Sequence, residues 1–324
     1  MLELTAANAS EYLVARGMPE PDSVCELGGG VSNTVLLVQS GGTRLVLKQS
    51  LPKLRVDQDW FSDPGRIFRE SEGLRSLAPY LPAGSLPEVL FEDRDRFAYA
   101  MAAAPSESET WKAQLMRGDI RPEIAGRIGA MLAAMIRSTW RDAAWEARYG
   151  DQTVFDELRL DPYYRSTARC HPDLAPHFDT LMRESAARRV SIVHGDWSPK
   201  NFLIAGDSVM AIDFEVIHFG DPAFDAAFLL NHLALKSFLR PADKPRFAAA
   251  AAQFLDSLAA GLPEECRWME EAALAHLGPL MLARVDGKSP AEYLGPNLRP
   301  RVRATARSLI KQRPASVAKV FEQI

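Results

Sequence analysis

The stretch "VHGDWSPKNFLI", residues 193–204, carries most of the information about the fold of this chain. An apolar run ends in His-Gly-Asp, an asparagine follows five residues after Asp196, and apolar residues then resume. A second island, "AIDFEVIHFGDPAFD" at 211–225, sets Asp213 behind another short apolar run. Carboxylate and amide oxygens are ligands that Mg²⁺ takes. The pattern therefore predicts that Asp196, Asn201 and Asp213 meet at the ends of two neighbouring strands and hold a metal ion.

The length and composition are those of an ordinary globular protein. The 324 residues suffice for two domains or one large bilobal domain, with 47% apolar and 25% charged residues. A net charge of -4 gives no support for nucleic-acid binding. The three cysteines, Cys25, Cys170 and Cys266, are widely separated, which argues against a disulfide framework and for a reducing compartment.

The sequence carries no pattern of a targeting or membrane segment. The first 17 residues lack the basic segment and the continuous apolar core of a signal peptide. No apolar run approaches the roughly 18 residues that a membrane span needs. We therefore expect a cytoplasmic protein with neither a membrane nor a nucleic acid as partner. The basic stretch 298–313 is interpreted as a solvated helix face.

The N-terminal third has the pattern of an antiparallel sheet. Three glycines at 28–30 stand between apolar runs, and the turn "SGGT" separates "TVLLVQ" from "RLVLKQ", as is typical of two hairpins. Helices are predicted over 3–17 and behind Asp63-Pro64, and two further strands within 86–105.

Helix-forming patterns dominate after residue 105. We predict helices over 123–137, over 174–188 and through most of the chain after Phe224, with short strands at the two islands. The expected fold is α+β with two lobes. A small N-terminal lobe, 1–104, contains the antiparallel sheet and one main helix, and a larger, mostly helical lobe covers 105–324. The chemistry is expected between them.

These residue types suit the transfer of a phosphoryl group from a nucleoside triphosphate. Asp196 can accept a proton from an attacking hydroxyl, and Asn201 can offer its side-chain oxygen to a metal. Asp213 can link the metal to the β- and γ-phosphates.

The N-terminal pattern adds groups that suit the phosphates. Glycines permit close backbone approach, so the segment "GGGVSN" can lie over phosphate oxygens. Its candidate residues are Gly29, Gly30, Ser32 and Asn33. Lys48 in "LVLK" can reach the α- and β-phosphates, and Glu70 on the following helix can pair with its ammonium. Glu72 lies on another helix face and is the second choice.

The motifs "GGGVSN", "LVLKQ", "RESEGL", "VHGDWSPKN", "IDFE" and "GDPAFD" together resemble the aminoglycoside phosphotransferase/choline kinase superfamily, over residues from about 26 to 228. Their combination is far more specific than any one motif. The resemblance implies a two-lobed, protein-kinase-like fold. It also implies ATP- and Mg²⁺-dependent phosphorylation of a hydroxyl on a small molecule, such as a sugar, an amino alcohol or an aminoglycoside-like compound.

The resemblance implies a role for each matching residue. Asp196 is the catalytic base or the acid that orients the hydroxyl, and Asn201 and Asp213 are metal ligands. Lys48 binds phosphates and Glu70 positions it.

The resemblance also implies supporting roles. His194 braces the catalytic loop, and Asp225 accepts hydrogen bonds from the loop backbone. The hinge at 101–105, with Met101 and Ala103, binds the adenine edge through main-chain groups.

Within the superfamily, "LVLKQSLPKLRV", Trp60, "RIFRESEGL" and "WKAQLMRGDIRPEIA" look similar to methylthioribose kinases. The catalytic loop departs from that branch. Methylthioribose kinases usually have histidine, threonine, glycine and serine after "HGDL", with no asparagine at the fifth position, whereas this chain reads "HGDWSPKN". The acceptor is therefore left open.

Three further residues are candidates for contact with the acceptor. Trp197 beside the base suits a pocket wall or core packing equally well. Glu215 suits a second metal or a structural carboxylate. Arg284 suits an acceptor contact across the cleft, although a structural role near a helix end is favoured.

Two alternative functions are weighed against a small-molecule kinase. A catalytically silent nucleotide-binding protein of the same fold is disfavoured because every catalytic position holds a competent residue type. A protein kinase is disfavoured because the loop reads "HGD", "DFE" replaces "DFG", and the segment from Asp213 to Asp225 is too short for a peptide platform.

Overall fold

A five-stranded antiparallel sheet forms the N-terminal part of the structure. The computed structural model describes residues 3–28, 32–55 and 61–324. The strands lie in the order β1-β2-β3-β5-β4. Their bounds are Ser23–Glu26 (β1), Asn33–Ser40 (β2), Thr43–Ser50 (β3), Val89–Asp93 (β4) and Ala98–Ala102 (β5).

The hairpin between β2 and β3 fixes the position of Lys48. Gly41 and Gly42 have φ angles of +54° and +81°, and a two-residue loop with both angles positive favours glycine because its twist matches that of the strands. In the resulting register Lys48 lies opposite Val35 on β2 and opposite Tyr99 on β5. Lys48 is thus held by pairing on both sides of its strand.

One face of the sheet packs against helix α1, Ala9–Val14, which is shorter than the predicted helix over 3–17. The backbone N–H of Leu4 donates a hydrogen bond of 2.7 Å to Oε1 of Gln49, so the preceding residues lie along the sheet and not in a helix. The left-handed Gly17, at φ +79°, ends the segment. The amphipathic pattern was right about a helix and wrong about its length, because docking onto the sheet overrides local propensity.

The other face packs against the helix α2, Arg66–Leu77. The helix begins behind Asp63-Pro64 as predicted, but its N-cap is Gly65 and no side chain caps it; Oδ1 of Asp63 accepts a hydrogen bond of 2.8 Å from the N–H of Gly65, in the turn before the helix. Ile67, Leu74 and Leu77 share one face and are almost fully buried, a contribution of roughly 1.5–3 kcal/mol each. This burial fixes the face of α2 on which Glu70 lies.

The rest of the chain is mostly helical. The helices are α3 (Trp111–Arg117), α4 (Pro122–Thr139), α5 (Ala143–Tyr149), α6 (Thr153–Phe155), α7 (Ser166–Cys170), α8 (Ala175–Ala187), α9 (Ala223–Leu239), α10 (Lys244–Gly261), α11 (Met269–Asp286), α12 (Arg299–Lys311) and α13 (Val317–Glu322). A π-helical segment, Asp156–Arg165, joins α6 to α7 and contains Pro162.

Two small antiparallel sheets carry the predicted islands. One has the order β6-β8-β9, and the other pairs β7 with β10. Their bounds are Glu109–Thr110 (β6), Ser191–Val193 (β7), Phe202–Ala205 (β8), Ser208–Ala211 (β9) and His218–Gly220 (β10).

The helix α9 runs through the core of the helical part. Its residues from Ala223 to Phe238 are buried on all sides, as expected for a helix that is apolar around most of its circumference. The helices α4 and α10 pack closely elsewhere in this core, since a Cβ on Gly129 would lie 2.3 Å from the carbonyl oxygen of Phe254.

The predicted fold class is confirmed. The sheet, its main helix α2, the helices α4 and α8, and the helical C-terminal part all lie where the sequence pattern predicts them. In the portion of the chain that can be described, every helix is too short or too polar to span a bilayer.

Candidate active site

The His-Gly-Asp motif follows directly after β7, and the first turn of α9 holds it in place. Asp225 accepts hydrogen bonds from the backbone N–H groups of His194 at 2.6 Å and Gly195 at 2.9 Å. Gly195 has φ +78°, and a Cβ there would lie 2.7 Å from Cγ1 of Val216. The motif therefore requires glycine both for its backbone angle and for this close approach.

His194 braces the loop and stays uncharged at neutral pH. Its Nδ1 accepts a hydrogen bond of 3.1 Å from the backbone N–H of Asp196, so Nε2 carries the proton and donates to the carbonyl of Ile212 at 3.0 Å. Burial lowers the pKa of His194 to about 4. Both ring nitrogens are engaged, so the imidazole holds two segments together and is not placed as a base.

Asp196 is a buried carboxylate between two cations. Its Oδ2 lies 3.0 Å from Nη2 of Arg159 and 2.9 Å from Nζ of Lys200. Burial by itself would raise the pKa of Asp196, but the charges of Lys200 and Arg159 outweigh it and hold the pKa below its usual range. Asp196 is therefore ionised at neutral pH and can accept a hydrogen bond from a hydroxyl.

Arg159 comes from the π-helical segment. Its Nε donates a hydrogen bond of 2.5 Å to the carbonyl of Gly195, and its Nη1 donates to the carbonyl of Leu158 at 2.7 Å. The guanidinium therefore contacts both the backbone and the carboxylate of the motif. π-helical turns occur often at functional sites because they re-aim a side chain without ending the helix.

Asn201 ties the loop to the second island. Its Nδ2 donates a hydrogen bond of 2.9 Å to the carbonyl of Asp196, and its own carbonyl accepts from the N–H of Ile212 at 3.0 Å. With Nδ2 committed to this bond, the amide oxygen Oδ1 is the atom left for a cation.

Asp213 is the charged end of the second island. Its φ angle of +70° lies in the left-handed region, which is uncommon for residues other than glycine and tends to mark functional sites. Its Oδ1 lies 2.5 Å from Nζ of Lys48, and Lys48 also lies 2.7 Å from Oε2 of Glu70. Burial would lower the pKa of Lys48, but the two carboxylates raise it above its usual range, so the ammonium is charged. Glu72, the second choice, lies beside Arg148 instead.

Lys200 connects the two acids. Its Nζ lies 4.0 Å from Oδ2 of Asp213, besides its contact with Asp196. The side chain of Lys200 is 48% exposed, whereas that of Asp196 is buried. The structure thus brings the charged ends of Asp196, Asp213 and Lys48 together, with the half-exposed ammonium of Lys200 beside both acids.

Ser32 and Asn33 lie against Glu215. Oγ of Ser32 donates to Oε1 of Glu215 at 2.8 Å, and Nδ2 of Asn33 donates to Oε2 at 2.9 Å. Nε of the buried Arg66 on α2 lies 3.2 Å from Oε2. Glu215 lies in a turn and not in a strand, and these bonds link β2, α2 and the second island. They favour the structural alternative for this carboxylate. Gly29, Gly30 and Trp60 lie outside the described residues.

The other predicted contacts are less distinctive. Met101 is a buried residue of β5, and the N–H of Ala103 donates to the carbonyl of Arg44 at 3.2 Å. Trp197 is fully buried, with its ring centroid 4.7 Å from that of Phe202, and Nε1 has no hydrogen-bond partner. This packing favours the core alternative for Trp197.

Arg284, on α11, is buried. Its Nη1 donates to Oη of Tyr163 at 3.2 Å and to the carbonyl of Ser289 at 2.6 Å. The neighbouring Lys288 is partly exposed, and its Nζ lies 2.6 Å from Oδ2 of Asp161. It therefore pairs with an acid other than Asp196 and Asp213. The basic helix α12 likewise pairs with acids, for example Arg303 with Asp286 at 2.7 Å.

Sequence reasoning missed four cations: Arg66, Arg159, Lys200 and Lys236. Two of them had a signal: Lys200 stands four residues after Asp196, and Arg66 begins the quoted stretch "RIFRESEGL". Arg159 and Lys236 come from elements without a motif and are placed by tertiary packing.

The available metal ligands are few. Across 3–28, 32–55 and 61–324, no group of three or more His, Cys, Asp or Glu residues could hold a metal ion. Mg²⁺ is commonly bound by one or two protein oxygens together with waters and phosphate oxygens, so this small donor set is the kind that suits it. The partly exposed carboxylate of Asp213 and the free amide oxygen of Asn201 fit that requirement.

The fold and the site define a phosphotransferase of protein-kinase-like architecture. Residues 23–268 match the model of the phosphotransferase enzyme family APH, and the chain belongs to this family. It is therefore an enzyme that transfers a phosphoryl group to an alcohol, a small-molecule kinase.

Individual proteins are similar to this chain in sequence or in fold. The methylthioribose kinase of Yersinia enterocolitica is 27% identical over 276 residues, which cover 74% of this chain and 69% of that protein. A choline/ethanolamine kinase family protein from Mesorhizobium loti has a similar structure, with a TM-score of 0.57, 15% identity and 98% of each chain covered. The streptomycin-ATP-APH(2″)-IIa ternary complex gives a TM-score of 0.51, 15% identity and 99% of each chain.

Proposed function

We propose that this chain transfers the γ-phosphoryl group of ATP to a hydroxyl of a small molecule in a Mg²⁺-dependent reaction, with Asp196 as the base. One observation carries the proposal. The ionised Asp196 and the Lys48–Asp213 pair lie close together, since Nζ of Lys200 is within ion-pair distance of both acids. A structural relative bound to ATP supports the choice of nucleotide.

Asp196 would orient the acceptor hydroxyl and take its proton. The O–P bond to the acceptor forms as the bond between the γ-phosphorus and the β-γ bridging oxygen breaks, ADP leaves, and the proton passes to Oδ of Asp196. A carboxylate with a lowered pKa is a weak base, which suits a loose transition state in which little proton transfer is needed early. Arg159 would keep the carboxylate ionised and aimed.

Two lysines would bind phosphates. Lys48 would exchange its contact with Asp213 for the α- and β-phosphates and keep its contact with Glu70. Protein kinases use the same kind of lysine–glutamate pair to hold the phosphate-binding lysine. Lys200 would meet the transferred phosphoryl group at the open side of the cavity, where charge neutralisation contributes most to the rate.

The metal would be held by Asn201 and Asp213, and it would supply charge neutralisation between the β- and γ-phosphates. Met101 and Ala103 would bind the adenine edge through main-chain groups, and Gly29, Gly30, Ser32 and Asn33 would cover the phosphates. Of the three acceptor candidates, Arg284 is kept, whereas the packing of Trp197 and the bonds of Glu215 favour structural roles.

We also propose that the two lobes meet at residues 104 and 105, so that the cavity lies between them. A cytoplasmic location is part of the proposal, supported by three cysteines that are all free.

The test uses Asp196→Asn, Asp213→Asn and, as a matched control, Asp207→Asn on an exposed turn. Calorimetry measures Mg·ATP binding, and ADP release measures hydrolysis without acceptor. We expect Asp196→Asn to bind nucleotide but to lose about 10²–10⁴ in turnover, and Asp213→Asn to bind Mg·ATP more weakly. If both variants bind and turn over like Asp207→Asn, the proposal is wrong.

A further inference from the structure

The helix α9 presents a buried ammonium to the region behind the catalytic loop. Lys236 is 1% exposed, and Asp225, His232 and Lys236 are spaced at seven and four residues, so they share one face of the helix. Nζ of Lys236 lies 3.4 Å from the carbonyl oxygen of His232 and 5.1 Å from the centroid of the Tyr293 ring. Among the residues with described positions, no carboxylate oxygen lies within 4.0 Å of it. The charge is therefore buried without a counter-ion.

Arg284 is a second buried cation without an acid partner. Its Nη1 donates to Tyr163 and Ser289, and its Nε has no hydrogen-bond partner among the described residues. In the described structure it forms no ion pair. Oη of Tyr293 is also buried without a partner, so this region holds unused donors as well as unpaired charge.

The other charges near Lys236 are already neutralised. Lys112 forms an ion pair with Glu292, and Arg159 forms one with Asp196. Among the described residues, the acid that raises the pKa of Lys236 is Glu292, whose carboxylate is already paired with Lys112.

Two aromatic rings connect these cations to the Arg159–Asp196 pair. Cζ of Arg159 lies 6.0 Å from the ring centroid of Tyr163 and 5.8 Å from that of Phe228. Tyr163 accepts the hydrogen bond of Arg284, and the Phe228 ring centroid lies 5.3 Å from that of His232. Each ring thus contacts Arg159 and also a residue beside Arg284 or Lys236.

An unpaired ammonium in a protein interior is costly, and removing its counter-ion from an ion pair is strongly destabilising. Burial lowers the pKa of Lys236 to about 7, and repulsion by Lys112 and Arg284 adds to the effect. An anion bound beside Lys236 would remove this cost. A polycation there would increase it.

We propose that the acceptor carries an oxyanion, a carboxylate or a phosphate, which Lys236 and Arg284 bind while the acceptor hydroxyl lies against Asp196. This inference rests on the proposed function and narrows its acceptor to a hydroxy acid or a phosphorylated alcohol. The two cations hold the acceptor and take no part in the bond changes at phosphorus.

The experiment compares matched acceptors with Mg·ATP. The pairs are gluconate with sorbitol, glycerate with glycerol, and ribose 5-phosphate with ribose, and kanamycin serves as a polycation. Coupled ADP release measures turnover, and a thermal-shift assay with a non-hydrolysable ATP analogue and Mg²⁺ measures binding. We expect binding and turnover with anionic members only. Gluconate and glycerate test for a carboxylate on the acceptor, and ribose 5-phosphate tests for a phosphate.

Two substitutions locate the binding site. Lys236→Met and Arg284→Gln should each raise KM for the anionic acceptor, or its apparent Kd, by about tenfold or more, since a hydrogen bond to a charged group is lost. Lys319→Met, an exposed lysine paired with Glu322 on α13, is the matched control and should leave both unchanged. If Lys236→Met fails to fold, the KM and Kd of Arg284→Gln still test the inference.

Three results would overturn the inference: neutral or cationic acceptors are preferred, no anionic member binds or reacts, or both variants keep the wild-type KM and Kd. These results are distinct from a failure of the proposed function. A wild-type protein that neither binds nor hydrolyses Mg·ATP contradicts the kinase proposal itself.

Discussion

Nζ of Lys48 lies 2.5 Å from Oδ1 of Asp213, a contact between residues 165 positions apart in the sequence. The contact joins the central strand of the N-terminal sheet to the island that follows β9. Glu70 holds the same ammonium from the side of α2. The position of Lys48 therefore depends on two carboxylates. Packing of α2 fixes that of Glu70, whereas that of Asp213 would bind the metal once nucleotide is present.

This relationship predicts the effect of Glu70→Gln. Losing the fixed carboxylate leaves Lys48 paired with Asp213 alone, so the ammonium should be less available to phosphates. We expect kcat/KM for ATP to fall by about 10–100-fold, measured by coupled ADP release. Glu72→Gln, which alters only an exposed pair with Arg148, is the control. Equal kinetics for the two variants would contradict the role of Glu70.

Lys200→Met should change the pH dependence of turnover. Burial raises the pKa of Asp196, and Lys200 followed by Arg159 lowers it, so removing the Lys200 charge should raise that pKa. A carboxylate must be ionised to act as a base, so the acidic limb of the kcat profile should move to higher pH. Lys319→Met should keep the wild-type profile. A profile that Lys200→Met leaves in place would show that Lys200 does not act on Asp196.

Asp225 is expected to stabilise the catalytic loop. Asp225→Ala leaves two buried backbone N–H groups, those of His194 and Gly195, without acceptors. We expect a loss of about 2–5 kcal/mol in the free energy of unfolding, measured by urea denaturation. Asp225→Asn keeps one acceptor oxygen and should lose less. An Asn variant as unstable as the Ala variant would mean that the charge, and not the hydrogen bonds, matters.

Lys236→Met should stabilise the protein without acceptor in a pH-dependent way. The folded-state pKa of about 7 lies below the ordinary value of 10.5. The cost of the buried ammonium is therefore fully present below pH 7 and disappears as the pH rises from 7 towards 10.5. We expect Lys236→Met to exceed the wild type by roughly 2–4 kcal/mol at pH 6, with the difference shrinking by pH 10. Denaturation curves at the two pH values test this, and Lys319→Met should show no such trend.

Much of the fold could be predicted because local patterns and tertiary packing agree there. The glycine turn at 41–42, the buried stripe of α2 and the two apolar runs before Asp196 and Asp213 each specify an element by themselves. Helix α1 could not be delimited, because the residues before it are held by a side chain of β3.

The grouping of the buried cations could not be predicted for a different reason. Arg284 was a candidate by sequence, but Arg159 lies 37 residues before Asp196, and Lys236 and Arg284 lie on separate helices. Their meeting depends on how α9, α11 and the π-helical segment pack, and no sequence spacing encodes it. Lys236 is a single lysine in a mostly apolar helix. Its sequence context does not indicate that the side chain is buried or that it lacks an acidic partner.

The π-helical segment, Asp156–Arg165, makes the active site sensitive to chain length as well as to residue type. Arg159 contacts the loop from a segment with wider turns than an α-helix. Deleting one residue there would convert the turn to ordinary α-helix and rotate Arg159 relative to α7 by about 100°. An enzyme shortened in this way would keep every motif and still lose the guanidinium beside Asp196, so homologues with gaps at this point should have a different partner for that acid.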